Sequence, residues 1–226
     1  MTCYGYMGKI LRVDLTEGKL WDEALNEAYA RDFVGGSGLA ARYACDMVAA
    51  DTDPLGPDNP LIFMTGPVVG TAMPSAGRFS VCALSPATGL WGESNSGGFF
   101  GPELRFAGYD GIIITGQAAR PVWLSIVDGV TALHDAVDVW GLDTYATQSR
   151  ICELLGDRRA RVACIGLAGE NIVAMAAVLN DHGRAAGRTG MGAVMGAKRL
   201  KAIAVCGKAK VPVANAAGLK AVVQEI

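Results

Sequence analysis

Histidine is almost absent from this chain: 226 residues hold only His134 and His182. A Ser-His-Asp or Cys-His set, or a histidine-rich metal centre, needs an imidazole among further reactive groups, and no such set can be argued around either histidine. Cysteine pairs are missing too. Cys3, Cys45, Cys82, Cys152, Cys164 and Cys206 stand singly, with no C-x-x-C spacing. Neither a zinc site nor a cluster-binding set follows from that pattern, and the apolar surroundings of most of them predict buried free thiols in a reducing cytoplasm. No apolar run reaches the roughly 18 residues that span a bilayer, so no membrane partner is expected. The start, MTCYGYMGKILRV, lacks the pattern of a signal peptide. Charge of one sign is also lacking. Lys and Arg number 20 against 22 Asp and Glu, for a net charge of -2, which excludes the basic footprint of a nucleic-acid binder.

What is present is apolar: 51% hydrophobic residues against 19% charged, enough for a substantial core and too much for disorder. The length allows one large or two small domains. Lys9 to Trp21 alternates around Thr16-Glu17-Gly18 and predicts a hairpin; Val122 to Leu133 does the same around Asp128-Gly129. Helical spacing is expected over 23–33, 39–48 and 142–155, the last stopped by Gly156. Short strands are expected over 61–65, 79–84, 90–94, 111–115, 161–165, 173–179 and 202–205. Beyond Lys208 a linker leads into a further helix. Hairpins mixed with crossover helices predict an α+β fold with mixed sheets, and the hairpin–helix–strand pattern that starts at Gly8 starts again at Pro121, as two similar halves would.

Glycine clusters carry the chemistry. Leu179 to Leu200 holds Gly183, Gly187, Gly190, Gly192 and Gly196 with Arg184 and Arg188, followed by a helix-compatible run. Bare backbone N–H groups in such turns form anion sites, arginine supplies a planar charged fork, and a helix N-terminus is expected to face the same pocket. The alternative is a turn whose glycines only let helix and sheet pack closely. A second window, Asn95-Ser96-Gly97-Gly98, precedes a short helix framed by Pro102 and Gly108 and has the same anion-binding character. Neither window fits a dinucleotide fingerprint: Gly36-Ser37-Gly38 lacks the third glycine, Gly196 falls one place too late after Gly190-Met191-Gly192, and no P-loop exists. The remaining polar candidates have ordinary readings. His134 is expected in an exposed hairpin, His182 beside a turn, and Glu103 and Glu170 at a helix start and a turn.

The blocks GYMGKILRVDLTEG, FVGGSGLAARY, NPLIFMTGPVVGT, SAGRFSV, SNSGGFFGPELRFAGYDGIII, IGLAGENIV and LNDHGRAAGRTGMGAVMGAKRLKAIAV resemble, in order and spacing, the N-terminal domain of the tungsten-dependent aldehyde:ferredoxin oxidoreductase family. The resemblance runs from about Tyr4 to Val213. It implies a platform of two similar α+β halves over residues 1–210, with 211–226 a linker and the start of a helical domain. It implies a tungsten bis-pterin cofactor. Arg78 would bridge pterin and an iron–sulfur cluster, and the backbone carbonyls of Asn95 and Ala185 would hold a magnesium ion between the two pterin phosphates. Ser96, Gly97, Gly98, Arg184, Gly187 and Arg188 would supply the surrounding phosphate and pterin contacts. Further helical domains, in the same polypeptide or a separate subunit, would carry the ligands of a four-iron four-sulfur cluster and the acid–base groups. The complete enzyme would be a cytoplasmic homo-oligomer passing electrons from an aldehyde to ferredoxin. A reductase of the same family acting on an aromatic acyl-thioester, and a non-catalytic domain without metal, are the alternatives. All of these roles require the bends at 95–98 and 184–188 to share one hollow.

Overall fold

The structure, a computed structural model, describes residues 4–226. Two six-stranded mixed sheets form the molecule. The first contains β1 (Lys9–Asp14), β2 (Lys19–Ala24), β3 (Leu61–Met64), β4 (Phe79–Leu84), β5 (Trp91–Ser96) and β6 (Gly111–Thr115), in the order β2-β1-β6-β3-β4-β5. The second contains β7 (Val122–Val127), β8 (Val130–Asp135), β9 (Arg161–Cys164), β10 (Val178–Asn180), β11 (Arg184–Ala186) and β12 (Leu200–Cys206), in the order β8-β7-β12-β9-β10-β11. In each sheet the inner hairpin strand runs parallel to the last strand, β1 to β6 and β7 to β12, and every other pair is antiparallel. The second sheet therefore repeats the first strand for strand, as the recurring pattern from Gly8 and Pro121 predicts.

Local chemistry sets the element ends. Asp128 and Gly129, at φ 48° and 84°, make the two-residue turn between β7 and β8. Helix α1 (Glu27–Phe33) is capped by the Asn26 side chain, and α2 (Gly36–Cys45) follows at once. The glycines at 35, 36 and 38 open α2: a Cβ on Gly38 would lie 2.7 Å from the Phe33 carbonyl oxygen, so the tight passage between the two helices demands glycine. Helix α3 (Phe100–Phe106) sits where Pro102 and Gly108 frame it. Helix α4 (Thr144–Leu155) has Asp143 as its N-cap and ends at Gly156, φ 66°. The short α5 (Leu167–Glu170) packs on α6 (Met191–Ala197), which reaches strands of both sheets, and α7 (Ala216–Glu225) has no buried residue. No helix among the described residues is long and apolar enough to cross a membrane.

The expected strand over 173–179 shrinks to Val178–Asn180, because the backbone just before it is taken by α6: Gly192 N–H donates to the Ala176 carbonyl at 2.9 Å. The three-residue β11 has too few side chains to show alternation and was not expected from the sequence.

One apolar core lies between the sheets and belongs to both. Leu11, Phe63 and Ile112 of the first meet Leu124, Val178 and Ile203 of the second. The Phe79 and Phe100 rings pack at 4.8 Å, joining β4 to α3. Smaller clusters fill the outer faces under α2 and α4. Buried Lys198 bolts the halves together, its Nζ donating to the carbonyls of Pro57 (3.0 Å) and Gly116 (3.1 Å). Burial pushes its ammonium down to about 8.

Cys82, Cys164 and Cys206 are buried and Cys152 half-buried, but Cys45 is exposed at the end of α2, against the expectation of buried thiols; Cys3 lies outside the described residues. Burial pushes the Cys82 and Cys164 thiols up to about 12. Iodoacetamide at pH 8 is therefore expected to label Cys45 well before Cys82 or Cys164, which should react only on unfolding. Peptide mapping of a labelling time course checks this, and rapid native-state labelling of Cys164 would contradict the burial.

Candidate functional site

The two glycine windows occupy equivalent places in the repeat. The first is the β5–α3 connection and the second is the β11–α6 connection. Strands β5 and β11 are edge strands, and their edges lie side by side. The Arg188 N–H donates to Ser94 Oγ at 3.0 Å, and Thr189 Oγ1 donates to the Glu93 carbonyl at 3.3 Å. The repeat thus brings both bends to one side of the molecule.

A hollow of about 630 Å³ opens there, lined by Gly77, Arg78, Gly97, Gly98, Phe99 and Arg184 among others. Arg78, Gly97, Gly98 and Arg184 are thereby brought together. An adjoining hollow of about 400 Å³ shares Arg78 and reaches Asn95 and the start of α2. Asn95 is exposed on β5, its side-chain oxygen accepting from Ser80 Oγ at 3.0 Å. Ser96 is buried and its hydroxyl is committed to Asn180 Oδ1 at 2.6 Å, so that hydroxyl is not offered to a guest. Ala185, Gly187 and Arg188 are exposed but line neither hollow.

Electrostatics separate these arginines from those that serve in ion pairs. Arg12, Arg42, Arg105 and Arg159 each hold a carboxylate. Among the described residues, the guanidinium groups of Arg78, Arg184 and Arg188 make no hydrogen bond and no ion pair. All three are exposed at the joined bends. Three unpaired forks beside a glycine-lined floor are a donor set for phosphate oxygens. A Cβ on Gly97 would meet nothing within 4 Å, so backbone is open to a ligand there, while Gly77 packs against the Gly98 carbonyl and seats the Arg78 loop on the first bend. No group of three or more His, Cys, Asp or Glu side chains gathers among the described residues, so a cation at this place would depend on carbonyl oxygens.

The second window divides into two uses. Gly190, Gly192 and Gly196 serve packing. A Cβ on Gly196 would overlap the Gly169 carbonyl, one on Gly190 the Ala174 carbonyl, and one on Gly192 would sit 2.5 Å from the Ala177 carbonyl. Helix α6 is buried along its whole length and none of it lines the hollow, so the expected helix N-terminus in the pocket is not there. For these three glycines the close-packing alternative is the right one. Gly196→Ala is expected to cost about 3 kcal/mol or more, because α5 and α6 must separate to admit a methyl group. Urea unfolding of the variant measures it; a loss under about 1 kcal/mol would show that the contact can give way.

The lesser candidates play other parts. His134 is not a solvated loop residue: it stacks on Trp123 at 4.0 Å and its Nε2 lies 2.8 Å from Ser125 Oγ. Burial lowers its pKa. His182 stacks on Tyr145 at 5.7 Å. Glu103 accepts from the Gly207 N–H, and Glu170 pairs with buried Lys201 while accepting from the Gly141 N–H. None of the four lines the hollow. What sequence reasoning missed is Asn180-Asp181, which ties the two bends together. Its signal is a pair of polar turn formers at the end of an apolar strand.

Comparison with known proteins bears on what such a hollow holds. Residues 10–207 match the family described as aldehyde ferredoxin oxidoreductase, N-terminal domain. The tungsten-containing aldehyde ferredoxin oxidoreductase of Pyrococcus abyssi is 46% identical over 222 residues, covering 98% of this chain and 37% of that protein. The aliphatic sulfonate oxidoreductase, WOR-like subunit, of Pyrococcus furiosus is 37% identical over 92% of this chain and 36% of its own length. Among solved structures, the active site complex BamBC of benzoyl coenzyme A reductase with 1,5-dienoyl-CoA superposes with a TM-score of 0.91 at 38% identity, covering 92% of this chain and 32% of that one. The chain thus spans about a third of the length of the relatives it matches.

Proposed function

Because the chain belongs to the aldehyde ferredoxin oxidoreductase family, we propose that it is the tungstopterin-binding platform of an enzyme that oxidises aldehydes to carboxylic acids. The observation that carries the reading is the shared hollow. Two topologically equivalent bends flank it, and unpaired arginines stand where a guest with two equivalent phosphorylated halves would present its charge. The residues fit that guest. Arg78 and Arg184 line the hollow and would hold phosphate or pterin oxygens through charge-assisted bonds, with Arg78 also reaching toward an iron–sulfur cluster. Arg188, Gly187, Ser96, Gly97 and Gly98 would complete the contacts, mostly through backbone N–H groups. The carbonyls of Asn95 and Ala185, on the neighbouring edge strands, would supply oxygen ligands to magnesium, which takes hard oxygen donors. When bound, the tungsten centre supplies two-electron chemistry, in which an aldehyde and water give a carboxylic acid, two protons and two electrons.

The platform's own part is to bind and orient; it contributes no acid or base to the hollow, which holds neither Asp, Glu nor His. Proton transfer, cluster ligation and exclusion of water fall to further helical domains, entered through 211–226 or supplied by a second subunit. Ferredoxin is the proposed acceptor, and the complete enzyme a cytoplasmic homo-oligomer. The likeness to the benzoyl coenzyme A reductase complex supports a second reading, a reductase acting on an aromatic acyl-thioester. Full-length enzyme made in tungsten-supplied cells, analysed for metal and pterin and assayed for aldehyde-dependent ferredoxin reduction, tests the proposal. Protein without tungsten or pterin would overturn it, and metal-loaded protein that turns over only acyl-thioesters would favour the second reading.

A further inference from the structure

Asn180 and Asp181 line no part of the hollow, yet between them they hold Ser96 and Gly97 of the first bend and Phe99 just after it. Asn180, 1% exposed, accepts from Ser96 Oγ at 2.6 Å and donates through Nδ2 to the Gly97 carbonyl and to Asp181 Oδ2, both at 2.8 Å. Asp181 Oδ2 also accepts from the Phe99 N–H at 2.6 Å. These bonds join residues more than 80 positions apart and cross from one half of the repeat to the other. Gly98, at φ 93°, permits the approach, since a Cβ there would overlap the Asp181 carboxylate.

The arrangement is locally unfavourable. Asp181 Oδ1 is buried without a hydrogen-bond partner, compensated only by Arg161 at 3.7 Å. Asp181 and His182 adopt φ of 45° and 51°, a left-handed conformation that non-glycine residues avoid. A buried unsatisfied oxygen and two left-handed residues persist together only where the surroundings over-determine them. Here the turn is gripped from both sides. Asp181 is held to the first bend, while the His182 N–H donates to Gln148 Oε1 at 3.1 Å and the His182 ring stacks on Tyr145 of α4. Arg184 follows two residues later.

We infer that the Asn180–Asp181 pair is the positioning element that fixes the distance between the Gly97–Gly98 backbone and Arg184, and so matches the hollow to a guest that contacts both bends. It rests on the tungstopterin reading for the guest's identity. Asp181 does not line the hollow; it acts through the backbone of 97–99. A strut and a charge make opposite demands on this side chain. Asp181→Asn keeps the length and an acceptor oxygen for the Phe99 N–H but loses the charge. Asp181→Glu keeps the charge but lengthens the side chain by one methylene and pushes the bend away.

The test is pterin and tungsten content per chain in the full-length enzyme, with amide exchange of the cofactor-free full-length protein as a readout independent of loading. Asp181→Asn should retain content within about twofold and leave Phe99 exchange unchanged. Asp181→Glu should lose about fivefold or more of its content and speed Phe99 exchange about tenfold, while β12 amides keep their protection. Content retained in Asp181→Glu, or lost in Asp181→Asn alone, would overturn the inference. Arg184→Ala serves as the control. If it leaves pterin content unchanged, the reading of the guest fails, and the exchange result alone decides on the strut. If it lowers content and Asp181→Glu does not, the strut alone is wrong.

Discussion

Replacing Arg184 with alanine in the full-length enzyme is expected to weaken cofactor retention by about ten- to a hundredfold, the equivalent of one charge-assisted hydrogen bond at about 1.5–3 kcal/mol. Arg78→Ala should approach the same loss, because Arg78 lines both adjoining hollows. The fold should not suffer. Neither guanidinium has a partner among the described residues and both are exposed, so unfolding free energies should stay within about 0.5 kcal/mol of the parent. Loss of a guest without loss of stability separates these residues from the arginines that hold carboxylates. Arg184→Lys is the informative companion: it restores charge but not the planar fork, and should recover only part of the occupancy. Metal analysis, pterin fluorescence and a denaturant melt on the same preparations decide the matter. Wild-type metal content in both alanine variants would remove these guanidinium groups from the binding machinery.

The opposite profile, large in stability and indirect in function, is expected for Asp110→Ala. Asp110 and Arg105 form an ion pair in which both side chains are essentially inaccessible to water. Burial pushes the Arg105 guanidinium down and the Asp110 carboxyl up, each opposed by the other's charge. Asp110 also accepts from the Met7 N–H at 2.9 Å and the Gly8 N–H at 2.7 Å, and Arg105 donates to the Gly5 carbonyl, so the pair holds residues 5–8 against α3 and β6. Removing the carboxylate strands a buried cation and three half-buried backbone donors, of Met7, Gly8 and Lys9, a loss of about 3–5 kcal/mol. A double replacement by apolar residues should recover only part, because the N–H groups of Met7 and Gly8 would remain without an acceptor. Equilibrium unfolding in urea measures both variants, and a single-variant loss below about 1 kcal/mol would contradict the burial of the pair.

The parts of this molecule readable from sequence are those whose cause is local. Asp128-Gly129 specifies its turn, Pro102 and Gly108 frame α3, and Gly156 ends α4, each through backbone preferences that act within a few residues. The recurrence of hairpin, helix and strand was legible as a pattern, but the identity of the two sheet orders was not, since strand order is a tertiary property. At the site, Arg184 and the Gly97-Gly98 bend announced themselves by type. Gly190, Gly192 and Gly196 misled for the same reason: a glycine that admits a neighbouring carbonyl and one that admits a phosphate look alike in one dimension. Asn180 and Asp181 stayed silent because their partners lie more than 80 residues away. The identity of the proposed guest is not in the local chemistry; it rests on the family resemblance.

The single interior common to both sheets has a consequence for assembly. A clamshell, opening to swallow a ligand and shutting on it, is ruled out, since prising the bends apart would drag Phe63 and Ile203 into water together. On the proposed reading, the cofactor would be delivered from outside onto a ready-made seat, and any domain that roofs the seat would have to arrive second: seat, occupant, lid.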